Sequence, residues 1–204
     1  MTTRRTFLFG LAPAAVLAQA EPRVLLIGDS ISIGYTPGVS KLLAGKADVH
    51  RIPENGGPTT NGLKNLAEWL GDGRWDVIHF NWGLHDLKLM DDGRHQVPVE
   101  EYEKNLAELV ARLKATGARL IWCSTTPVPA GKLNPPRRPE DVPRYNQAAA
   151  RVMRANGVAI DDLYGFALPR LDQIQRPENV HFTDAGSEQL AEAVAGAVLE
   201  ALGR

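Results

Sequence analysis

Five short apolar runs alternate with longer stretches of helical periodicity along this chain. The runs are Arg23–Ile27, Ala47–Ile52, Trp75–Trp82, Ala118–Ser124 and Val158–Ile160. Short runs of β-branched and aliphatic residues bounded by turn residues read as buried strands. Between them, apolar residues recur at helical spacing: Leu63, Leu66, Ala67 and Leu70; then Tyr102, Leu106, Leu109, Val110 and Leu113; then Tyr145, Ala148, Ala149, Val152 and Met153. A last stripe holds Leu190, Val194, Ala197 and Val198, with Thr183 as its cap. Pro139 suits the first turn of the third helix, and Asn156-Gly157 suits its C-terminal end. This alternation predicts an α/β fold, a three-layer α/β/α sandwich on a five-stranded parallel sheet. Right-handed crossovers then bring every strand-to-helix turn to one edge.

That edge is where chemistry is expected. The turns there are Gly28–Ser32, Asn55–Thr60, Gly83–Asp86 and Thr125–Pro129, each rich in Gly, Asn, Asp, Ser, Thr or Pro. The long irregular segment Thr126–Arg138 leaves the same edge, and such loops often form functional rims. Ser30 lies in Gly28-Asp29-Ser30 directly after Val24-Leu25-Leu26-Ile27. A hydroxyl where the first strand opens into the ligand crevice is placed to act as a nucleophile. It needs a base, a group to orient that base, and donors for a developing oxyanion.

The first 20 residues read as an export signal preceding one domain over residues 21–204. Arg4-Arg5, which resemble a twin-arginine signal, precede an apolar stretch that ends in Ala18-Gln19-Ala20, a small-x-small cleavage pattern. The stretch is shorter than the roughly 20 residues that span a bilayer, so periplasmic or secreted localisation without stable membrane insertion is expected. Lys and Arg number 23 against 24 Asp and Glu, so no basic surface points to nucleic acid. Cys123 is the single cysteine, which excludes an internal disulfide and a thiolate metal site. The histidines show no ligand spacing, and neither metal nor cofactor is expected.

Four blocks taken in order resemble the SGNH, or GDSL-type, hydrolases. They are Gly28-Asp29-Ser30, Gly57 within Asn55-Gly56-Gly57-Pro58-Thr59-Thr60, Gly83-Leu84-His85-Asp86, and Glu178-Asn179-Val180-His181-Phe182-Thr183. The resemblance implies a flavodoxin-like sandwich and an ester-cleaving activity without cofactor. It assigns Ser30 as nucleophile and oxyanion donor, Gly57 as a second donor (Gly56 is the alternative register) and His181 as base. Two positions depart from the family pattern. His85 replaces the usual oxyanion Asn of the third block. Its imidazole N–H can replace that donor, help activate Ser30, or mark lost activity. Glu178 stands where an Asp usually orients the histidine. It completes the triad on this reading; otherwise it faces solvent and a Ser–His dyad operates.

Other polar residues read more plainly. Asp29 and Asp86 read as loop supports of the site. His79 reads as a core histidine, Cys123 as a buried strand residue, and His50 and His95 as surface residues. Arg137 and Arg138 read as a solvated pair that would favour an acidic substrate only if turned to the cleft. The expected substrate is a small-molecule or carbohydrate ester with a short acyl group. The alternatives are an impaired glycan-binding relative, or a lipase, thioesterase or acyltransferase of the same fold.

Overall fold

The computed structural model describes residues 20–204, so the expected signal at residues 1–20 lies almost wholly outside the described residues. Strands β1 (Arg23–Ile27), β2 (Asp48–Arg51), β3 (Val77–Phe80), β4 (Arg119–Cys123) and β5 (Ala159–Asp161) form one parallel sheet in the order β2-β1-β3-β4-β5. This is the doubly wound, flavodoxin-like order, and its direction reverses between β1 and β3. β1 and β3 are central and almost wholly buried, which explains why neither alternates apolar with solvent-facing residues, His79 being the one polar residue buried in β3.

Helices cover both faces. On one lie α1 (Ser30–Leu42) and α7 (Asp184–Leu202), with the short helices α5 (Leu163–Ala167) and α6 (Leu171–Ile174) beside α7. On the other lie α2 (Thr59–Leu70), α3 (Val99–Lys114) and α4 (Asp141–Asn156). The stripes on α3 and α4 are buried as their spacing predicts. In α2 the expected Ala67 faces solvent and Trp69 is buried instead. Pro139 lies just before α4, whose N-cap is Glu140, while Gly157 ends that helix in the left-handed conformation. Thr183 caps α7, its side chain accepting from Gly186 N–H at 3.0 Å.

The packing of α1 on α7 matters most for the site. Gly34 and Gly38 of α1 lie one turn apart and face Ser187 and Ala191 of α7. A Cβ on Gly38 would stand 2.7 Å from the Ala191 methyl carbon, and one on Gly34 would stand 3.2 Å from Ser187 Oγ. The helices run parallel, and the small residues let their axes approach closely. Their N-termini, which carry Ser30 and follow His181, therefore sit side by side. Gly38→Val should push the helices apart and destabilise the fold by about 1–3 kcal/mol. Urea unfolding would measure this; an unchanged midpoint would show that the close approach is dispensable.

Candidate active site

Ser30 is the first residue of α1, and its conformation is set by the turn before it. Asp29 is the N-cap: its Oδ1 accepts from Ile31 N–H at 2.9 Å, and its carbonyl accepts from Ser32 Oγ–H at 2.9 Å. Capping falls to Asp29, which leaves the Ser30 hydroxyl free for other work. Arg51, at the end of β2, clamps the same turn. It donates through Nη2 to Gly28 O at 2.9 Å and through Nε to Ser32 Oγ at 3.1 Å. Sequence reasoning missed Arg51. A lone half-buried arginine at a strand end carries no pattern that separates it from a solvated one. As the first helical residue, Ser30 has no partner for its N–H within α1, and no other acceptor meets it among the described residues.

His181 Nε2 lies 2.8 Å from Ser30 Oγ. The group that orients the ring is Asn179, and Glu178 does not meet the ring. Asn179 Oδ1 accepts from His181 N–H at 2.9 Å and lies 2.7 Å from His181 Nδ1. The backbone bond fixes which end of the Asn179 amide faces the ring, because only its oxygen can accept from an N–H. Nδ1 is therefore the protonated nitrogen. Nε2 carries the lone pair and accepts from Ser30 Oγ–H.

The local turn explains why Glu178 fails. Asn179 N–H donates to Arg176 O at 3.2 Å, closing a turn with Pro177 and Glu178 at its centre. Pro177 supplies the fixed φ of the second position. Glu178 takes a φ of 49°, the only positive value at a non-glycine residue among those described. That geometry turns the Glu178 side chain outward, where it is exposed and lies against Gly131 of the long loop. An Asn two residues before its target is the signature of a side-chain turn. That signal is present in Asn179-Val180-His181 and points to Asn179 instead of the family's carboxylate position.

The oxyanion side also differs from expectation. Gly56 is excluded as a donor, since its N–H is bonded to Gly28 O at 2.9 Å; a Cβ there would lie 2.9 Å from that oxygen. Gly57 has a φ of 61°, in the region that favours glycine, and its N–H donates to Asn55 Oδ1 at 2.9 Å. His85 lines an open depression together with Asn55, Gly57 and Lys64. Burial pulls the His85 ring below the ordinary histidine range. Asp29 opposes that pull, and Lys88, Arg137 and His181 reinforce it. At neutral pH the ring is uncharged and keeps one N–H to donate. Neither ring nitrogen meets a protein partner among the described residues.

Asp86 supports this edge from beneath. Its Oδ1 accepts from Thr59 N–H at 2.9 Å and from Thr59 Oγ1–H at 2.5 Å, which ties the start of α2 to the third block. Its Oδ2 is buried without a partner. Desolvation pushes the Asp86 carboxyl up to about 7, against the pull of the Thr59 hydrogen bonds.

The remaining polar residues are placed as follows. Arg137 is half-buried and donates through Nε to Leu84 O at 2.8 Å, backing the His85 turn, whereas Arg138 is exposed. His95 is not a simple surface residue: it is largely buried, and its Nε2 lies 2.8 Å from Asp141 Oδ2. His50 is half-exposed, beside Asp48. His79 is buried with Nε2 at 2.9 Å from Asp161 Oδ2 and Nδ1 unpartnered. With Cys123 these two form the one cluster of potential metal ligands among the described residues, their ligand atoms all within 4.8 Å. His79 and Asp161 already satisfy each other, and burial pushes the Cys123 thiol well up, against the thiolate a metal needs. The cluster reads as core polarity.

A model of the GDSL-like lipase/acylhydrolase family matches residues 26–189, which span all four sequence blocks. The chain belongs to this family. A search of curated protein sequences finds no match. Among solved structures, a lipase/acylhydrolase from Enterococcus faecalis superposes with a TM-score of 0.75 at 21% identity, over 87% of this chain and 95% of that one. An acetylxylan esterase from Geobacillus stearothermophilus gives a TM-score of 0.69 at 19% identity, over 90% and 94%. Another acetyl xylan esterase gives 0.69 at 18% identity, over 86% and 99%. At these identities the likeness shows the shared α/β fold.

Two measurements test the site as built. Asn179→Ala frees the His181 ring to take the wrong tautomer, so kcat should fall about 100-fold or more, the direction seen when a triad orienter is lost. Glu178→Ala should stay within about threefold, in the range of a surface change away from the chemistry. The reverse ranking would restore Glu178 as the orienting group. The second concerns Asp86. Its raised pKa means the folded chain holds a proton that the unfolded chain releases above about 4. Its contribution to stability is full below that pH and is lost as pH rises through about 7. Urea unfolding of the wild type and Asp86→Asn should therefore show the variant gaining on the wild type between pH 4.5 and 8, at about 1.4 kcal/mol per pKa unit crossed. Parallel pH profiles would contradict it.

Proposed function

We propose that this protein is a serine esterase that cleaves short-acyl, above all acetyl, esters of carbohydrates after export from the cell. One observation carries the reading: Ser30 Oγ stands 2.8 Å from His181 Nε2 on a ring whose other nitrogen is held by Asn179. Nδ1 is the protonated end, so Nε2 is free to take the serine proton.

The reaction follows from that arrangement. Ser30 Oγ attacks the ester carbonyl carbon while its proton passes to His181 Nε2. The carbonyl π pair moves onto oxygen. Ser30 N–H, at the positive end of α1, and the neutral His85 ring are the donors for that oxyanion. Collapse expels the alcohol, which takes the proton back from His181. Water, deprotonated by the same nitrogen, then hydrolyses the acyl-Ser30 intermediate. Asn179 fixes the ring but carries no charge, as in hydrolases that pair Cys, His and Asn.

The substrate class rests on the cleft. A half-open hollow of about 400 Å³ runs from Ser30 and His181 along the groove between α1 and α7. Its polar lining balances Lys41 and Arg176 against Asp184 and Glu188. A neutral, hydroxyl-rich alcohol suits such a wall better than an acyl chain, which would leave these charges desolvated. The two acetyl xylan esterases of the same fold agree with this choice.

A fluorophosphonate probe should label the protein and fail to label Ser30→Ala. A well-folded wild type that takes no label would make it a glycan-binding relative. With p-nitrophenyl esters, kcat/KM should be highest for acetate and fall with chain length. A preference for acyl chains of eight carbons or more would turn the reading to a lipase.

A further inference from the structure

The glycine amide expected to hold the oxyanion is already taken. Gly57 N–H points at Asn55 Oδ1, 2.9 Å away. Gly56 N–H is spent on Gly28 O. Neither glycine of the second block therefore offers a free backbone donor to the cleft. The block offers a side chain instead. With Asn55 Oδ1 anchored on Gly57 N–H, the other end of the amide, Nδ2, is left with two N–H donors, and no protein acceptor meets them among the described residues. Asn55, Gly57 and His85 line the same open depression.

We propose that the Asn55 side-chain amide is a catalytic oxyanion donor, acting beside Ser30 N–H and His85 in place of the Gly57 backbone amide. The inference rests on the esterase reading of Ser30.

The chemistry is that of a relayed hydrogen bond. Gly57 N–H polarises the Asn55 carbonyl, and the Asn55 N–H bonds become stronger donors in consequence. On this proposal, the oxygen that takes up the negative charge when Ser30 Oγ adds to the ester carbon is held from the depression that Asn55 and His85 share. No proton leaves Asn55; it donates a hydrogen bond and nothing else. The arrangement also accounts for the third block. The family pattern places its amide side chain there; here that position holds an imidazole, and an amide side chain stands in the second block.

Asn55 also makes a side-chain turn with Gly57, so the test must separate that role from donation. Asn55→Asp does so. A carboxylate oxygen accepts from Gly57 N–H as the amide oxygen does, so the turn survives. The donor, however, is replaced by a negative acceptor facing the oxyanion. We expect kcat for p-nitrophenyl acetate to fall about 100-fold or more in Asn55→Asp and Asn55→Ala, with KM within about threefold, the size of effect that follows loss of one oxyanion donor elsewhere. Thermal melts check that both variants fold. An Asn55→Asp enzyme with wild-type kcat overturns the inference, because the residue then only shapes the turn. A faster Asn55→Ala enzyme also overturns it, because the side chain then plugs a working Gly57 donor. Either result leaves the Ser30 reading intact if Ser30→Ala is dead. A wild type inert toward both esters and fluorophosphonate overturns both.

Discussion

The parallel contact of α1 and α7 is the constraint on which the site depends. Ser30 and His181 are 151 residues apart in sequence, and no strand pairing joins their segments directly. What brings them together is a stripe of small side chains, Gly34 and Gly38 against Ser187 and Ala191. Glycine within a helix costs about 0.5–1 kcal/mol relative to alanine, and α1 bears that cost twice. The gain is helix axes close enough for two N-terminal ends to share one hydrogen bond. The fold supplies the rest of the placement. β1 ends at the point where the strand order reverses, so the crevice between diverging turns opens beside Ser30.

A second constraint is the turn at Arg176–Asn179. Pro177 and the positive φ of Glu178 rotate the chain so that Asn179, not the residue before it, meets the imidazole. The exchange of carboxylate for amide has a price in charge. A carboxylate both aligns the ring and stabilises the imidazolium that forms when serine gives up its proton; an amide oxygen aligns the ring and offers only its dipole. Asn179 partly offsets this with rigidity, because its oxygen is fixed by His181's own backbone N–H.

The sheet, its five strands and the stripes on α3 and α4 were legible in the sequence, because buried parallel strands and amphipathic helices leave strong periodic signals. Ser30 and His181 were legible for a related reason: each sits where a strong element ends in a motif of several residues. The orienting group and the Asn55–Gly57 turn were not. Both depend on side chains bonding to backbone two residues away, Asn179 to His181 and Asn55 to Gly57. Such turns are set by φ at single residues, and a spacing rule taken from relatives cannot see them. Arg51 was hidden for another reason: its partners, Gly28 O and Ser32 Oγ, are distant in sequence and become its neighbours only once β2 pairs with β1.

The departures at 85 and 179 share one physical direction. Each places a neutral group where the family pattern has a different donor or a charged acceptor. His85 is kept uncharged by burial and by the nearby cations Lys88 and Arg137. Asn179 carries no charge at all. Asp86, the carboxyl beneath this edge, is pushed by desolvation toward its protonated form, and its Oδ1 is occupied by Thr59. Asp29, one residue before Ser30, has its Oδ1 turned to the first turn of α1. On the proposed mechanism the donors to the developing oxyanion, Ser30 N–H and the His85 ring, are a helix-end and a side-chain dipole. Fixed dipoles need no counterion and do not reorganise as the charge forms, so a site of this kind relies on how rigidly its donors are held. That rigidity comes from the two side-chain turns at Asn55 and Asn179 and from the Thr59–Asp86 pair that joins segments 27 residues apart.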